Sequence, residues 1–144
     1  GPCRAIAPLL DQMAAAHYRG EDLKAASSAA MKAWKNIPKD QVIDWGQRMC
    51  GIAYSRWQDL DKANKRTLKD ALAISKKTLA AVEARHKKQP DATFLGNAMH
   101  LHAAVLIVNK QRKKALVLMD KAIAVDPGNQ NLVAAKKNWV KGNK

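Results

Sequence analysis

Four histidines, two cysteines and twelve carboxylates are the side chains of this 144-residue chain with the widest chemical range. Their spacing decides what they can do. His100 and His102 stand two apart, so on a helix they point to different sides, while His17 and His86 are each isolated. Metal ligation from a helix needs a four-residue interval or a shared loop, and neither HExxH nor a CxxC pair occurs. They read as surface or packing histidines, with no metal and no cofactor. The carboxylates point the same way: Glu21-Asp22 falls at a turn, and Asp59 with Asp61 suits a helix start, where acids meet unsatisfied amides. Neither GxSxG nor a phosphate loop is present, so no enzymatic activity is expected.

Cys3 and Cys50 are too few for a disulfide framework. Cys50 is expected to be a buried small residue and Cys3 a thiol at a frayed end. Gly1-Pro2 reads as the scar of a cleaved tag, so a targeting segment could have been removed. If Cys3 is the first native residue, it suits the lipid-bearing cysteine of a mature periplasmic lipoprotein. The compartment stays open, with the cytoplasm slightly favoured.

Charge carries more information. Lys and Arg number 26 against 12 Asp and Glu, and the excess is uneven: residues 1–61 hold 8 basic and 7 acidic side chains, residues 62–144 hold 18 and 5. Advancing about 100° per residue, Lys62, Lys65, Arg66, Lys69, Lys76, Lys77 and Lys87 lie within about 60° of one line along a helix. Leu60, Leu68, Ala71, Ile74, Leu79 and Val82 occupy the other side. Only Asp70 and Glu83 border the basic stripe. Such a face is either a solvated surface or a contact for an anionic partner.

The elements that position these residues are helical. Hydrophobic content is 47%, aromatics 5%, and Pro and Gly are sparse, which gives an all-α fold with a core of its own. No apolar run approaches the ~18 residues of a membrane span. Ala115 to Ala122 is seven residues and Ala122 to Pro127 five, and Ala26, Ala33 and Pro38 repeat that spacing. Amphipathic stretches at 5–18 and 92–110 precede the two sets, joined to them by turns at Arg19-Gly20-Glu21 and Gln111-Arg112. The spacing predicts helical hairpins at about 7–40, 44–90 and 91–129, with a closing helix at 130–144, stacked in one domain with small alanines where backbones approach. In the middle unit Ser75 stands where the terminal proline would fall, and the pattern runs on to Pro90. That predicts a helix over 61–89, about 43 Å long.

These residues resemble the tetratricopeptide repeat family, whose unit of about 34 residues places large, small and aromatic residues at set intervals before a proline. Met99, Ala103, Leu106, Ala115, Met119, Ala122 and Pro127 match in the last unit, and Leu10, Met13, Ala14, Ala26, Ala33 and Pro38 in the first. Cys50-Gly51, Tyr54, Gln58-Asp59-Leu60 and Ala63 match in an expanded middle unit, while His17, Met119 and Thr67 replace hallmark aromatics. The resemblance implies a right-handed stack whose first helices line a concave peptide groove. Carried over, that groove falls on Asp11, Ala15 and Tyr18, on Trp45, Arg48, Ile52 and Arg56, and on Asn97, His100, Ala104 and Ile107. The carboxylate-clamping subtype requires Lys and Asn where Asp11 and Ala15 stand. The four tryptophans, Trp34, Trp45, Trp57 and Trp139, are expected mostly in the core.

The resulting expectation is a non-catalytic adaptor that binds an acidic or extended segment of another protein. Two alternatives compete with it. One is a polyanion binder that uses the stripe on nucleic acid or an acidic glycan, and the other is a secretion or assembly chaperone. The oligomeric state is left open.

Overall fold

The structure, a computed structural model, describes residues 23–59 and 66–142. Among them are six α-helices: α1 (Leu23–Lys35), α2 (Val42–Asp59), α3 (Arg66–Lys88), α4 (Ala92–Val108), α5 (Arg112–Val125) and α6 (Gln130–Lys141), with one 3-10 turn at Lys39–Gln41. Packing is mainly sequential: α1 on α2, α4 on α5, and α5 on α6, with α6 also reaching α4. An all-α arrangement of this kind is consistent with a helical repeat in general. The expected helix over 5–18 and the turn at Arg19-Gly20-Glu21 lie outside the described residues.

Contacts divide the chain inside α3, between Ile74 and Ser75. In the first unit α1 stops before Pro38, where the Asn36 and Ile37 amides donate to Ala33 and Trp34 carbonyls. Trp34 and Ile37 are buried at that end, and Val42, Met49, Ile52 and Ala53 form the core side of α2. Small residues let α1 approach closely, but they are Ser27 and Ala30; Ala33, expected at the contact, is half-buried. Cys50 is buried as expected, with its sulfur 3.7 Å from the Ala71 carbonyl oxygen. Burial pushes its thiol pKa up to about 12.

α3 runs unbroken through Ser75, with Leu68, Ala71, Ile74, Leu79 and Val82 buried along one side. The start expected at 61–65 lies outside the described residues. Pro90 follows the end of α3, and Asp91 caps α4 by accepting a 3.0 Å hydrogen bond from the Phe94 amide.

In the second unit the repeat spacing becomes a core. Met99, Ala103 and Leu106 of α4 and Ala115, Met119 and Ala122 of α5 are all buried, and the three alanines are 0% exposed. The closest approach is at Gly96. A Cβ there would meet Leu132 Cδ1 at 3.2 Å and the Ala122 carbonyl oxygen at 3.7 Å, so α4, α5 and α6 converge on a residue without a side chain. Asp126-Pro127-Gly128-Asn129 ends α5, and the Asn129 side chain caps α6 by accepting from the Asn131 amide. The closing helix is amphipathic around fully buried Leu132, as its pattern predicts.

Candidate functional site

Three surfaces contain the residues that the sequence singles out. On α2 the expected face is open only near its start. Trp45 is half-buried and Arg48 exposed, with the guanidinium carbon 5.0 Å from the Trp45 ring centre. One turn further on, Ile52 is 2% exposed and belongs to the core. Arg56 is also buried and turns toward α1, where Nη1 donates to Ser28 Oγ at 3.0 Å. Helical spacing places these four side chains on one face, but two of them, Ile52 and Arg56, are buried, and Arg56 is held there by Ser28 of α1.

The tryptophans differ from the expectation that most of them are core. Trp34 alone among them is buried, and Trp45, Trp57 and Trp139 are half-buried. Trp57 lies 5.7 Å from the Tyr54 ring, and Trp139 lies 5.7 Å from the His100 ring.

On α4, Asn97 is exposed, while His100 and Ile107 are half-buried. Asn97 Oδ1 accepts a 3.1 Å hydrogen bond from Asn129 Nδ2, and His100 rests against Trp139. Both contacts come from α6 and its cap, so α6 holds the first half of this face.

On α3, Lys69, Lys76, Lys77 and Lys87 are exposed. Lys62 and Lys65 lie outside the described residues, and Arg66 opens the helix. Asp70 is half-buried at the margin and Glu83 is exposed.

His100 and His102 do point apart. His102 Nδ1 is 2.7 Å from the hydroxyl of buried Ser75. Burial, followed by the charge of Lys76, holds the His102 imidazole below its ordinary pKa, and burial does the same to His100. The unfolded chain therefore takes up these protons more readily. Stability is fully present above the ordinary histidine value of about 6.5 and falls as pH drops through the lowered folded values. Thermal melts from about pH 7.5 to about pH 5 are expected to show this fall. The fall should be shallower in the His100→Gln/His102→Gln variant, and equal slopes would contradict the assignment.

The corner between α3 and α4 holds a cluster that the spacing did not reveal. His86 Nδ1 accepts from the Asp91 amide at 3.0 Å, and Arg85 lies over the ring of Phe94, which is 40% exposed. Proline followed by aspartate was the available signal, since it marks a helix stop and a new N-cap. Among the described residues no group of three or more His, Cys, Asp or Glu side chains could hold a metal, and no helix is long and apolar enough to cross a membrane. Compared with known protein families, curated proteins and solved structures, the chain matches none.

Proposed function

We propose that this chain is a non-catalytic protein-interaction module of tetratricopeptide-like hairpins, and that the α2 surface bearing Trp45 and Arg48 anchors its partner. The observation that carries this reading is the stacked pair itself. Tryptophan and arginine dominate binding energetics at protein interfaces, because a rigid ring and a planar cation bury large area at low entropic cost. Here the two are already organised against each other at the surface. A helical domain whose sequence contains no catalytic motif fits such a role.

A second reading, binding of nucleic acid or another polyanion, is favoured by the exposed lysines along α3. A salt series separates the two. Material captured by the wild-type chain is compared with material captured by Arg48→Glu and by the reversal of Lys69, Lys76, Lys77 and Lys87 to Glu. The interaction reading expects a protein that persists at moderate salt and is lost with Arg48→Glu. Capture of nucleic acid that disappears with salt, and only with the lysine reversal, would replace it by the polyanion reading.

A further inference from the structure

The corner between α4 and α5 departs from two local rules, each time by holding a cation. The end of α4 is a Schellman motif, in which the Lys110 amide donates to the Ile107 carbonyl at 3.0 Å and the Gln111 amide to the Leu106 carbonyl at 2.9 Å. The residue at its left-handed position is normally glycine; here it is Lys110, with φ of 59° and an exposed side chain. α5 then begins with Arg112, Lys113 and Lys114, and its first turn contains no acid. The positive end of a helix dipole favours carboxylates there, so this run destabilises α5. Two departures of the same sign at one corner indicate that the charge serves something other than folding.

The surroundings add to it. Arg112 Nη2 donates to the Gly142 carbonyl at 2.6 Å, which fixes the end of α6 and exposed Lys141 beside the corner. Asp120, the one carboxylate of α5, pairs with Lys136. Between the rows of Lys113 and Lys114, one turn further along the outward face, stands Val117, which is 57% exposed. An aliphatic side chain among cations has no use for a phosphodiester backbone but complements a mixed acidic and apolar peptide. Among the described residues the rings nearby are poorly placed for base stacking: exposed Phe94 is near the far end of α4, about 20 Å away along the helix, and Trp139 is half-buried against His100.

We infer that the outward face of α5, with Lys110, Lys113, Lys114 and Val117, is a docking surface for an acidic peptide segment that carries aliphatic residues. This surface belongs to the second unit, and Trp45 and Arg48 to the first. A fluorescently labelled twelve-residue peptide of mixed Glu and Leu is titrated by anisotropy, next to single-stranded DNA of twelve nucleotides, at low and moderate salt.

Lys113→Glu/Lys114→Glu is expected to weaken the peptide by about tenfold or more. Val117→Asn should weaken it by about fourfold and leave DNA unaffected. Both Lys110→Gly and the Glu pair should raise the melting temperature while lowering affinity, because each relieves a local cost. Loss of folding therefore cannot explain the loss of binding. Lys39→Glu, at an exposed lysine with no part in either face, should leave peptide binding unchanged. DNA that binds as tightly as the peptide at equal salt, with Val117→Asn inert, would overturn the inference. So would a peptide that fails to bind the wild type at low salt. A peptide released by Arg48→Glu but kept by the Lys113/Lys114 reversal would also overturn it, while supporting the α2 face.

Discussion

Replacing Leu132 with alanine is expected to lower stability by about 3 kcal/mol. Leu132 is 0% exposed and is the large side chain that α6 inserts where α4 and α5 approach. Its truncation leaves a cavity that two packed helices cannot close. Gly96 supplies the control. In the wild type, Gly96→Ala gains about 1 kcal/mol of helix propensity but crowds Leu132 Cδ1 at 3.2 Å, so the two effects offset each other. In the Leu132→Ala background the crowding is gone, and the same substitution should stabilise by about 1 kcal/mol. Urea denaturation of the four proteins gives the coupling. Additive effects would show that Gly96 and Leu132 do not share the space.

That junction also shows what the sequence makes legible. Seven-residue spacing of Ala115 and Ala122, followed by Pro127, predicts a close-packed face and a stop; both alanines are fully buried and α5 ends at Val125. Periodicity and punctuation are local, so they survive translation into helices. Accessibility is not local. Trp45, Arg48, Ile52 and Arg56 share one face of α2, yet Ile52 and Arg56 are buried, and the Ser28 that meets Arg56 comes from α1, 28 residues away in sequence. The same limit applies to His100: its partner Trp139 comes from α6, and no spacing within α4 announces it. Lys110 could have been noticed only by recognising a helix end that lacks its glycine.

Arg56 gives the second large effect. Arg56→Ala is expected to cost about 2 kcal/mol, through the lost hydrogen bond to Ser28 and the lost packing of its methylene stem. Arg56→Met keeps much of the stem and should cost less than half as much. Ser28→Ala should cost about 1 kcal/mol and add little to Arg56→Ala, since the two share one hydrogen bond. Chemical denaturation of the single and double variants checks this. An Arg56→Ala protein of unchanged stability that had lost its binding partner would return the residue to the interaction face.

Cys50 turns the interior of the first unit into a clock. A thiol is attacked as its thiolate, and burial against α3 leaves almost none of that species at neutral pH. An alkylating reagent must therefore wait until the packing around the sulfur opens, and the rate of labelling measures how often it does. Substitutions that loosen α1 from α2 advance that clock even where equilibrium melting scarcely registers them. Labelling of this residue thus reports on openings of the first unit around one buried sulfur.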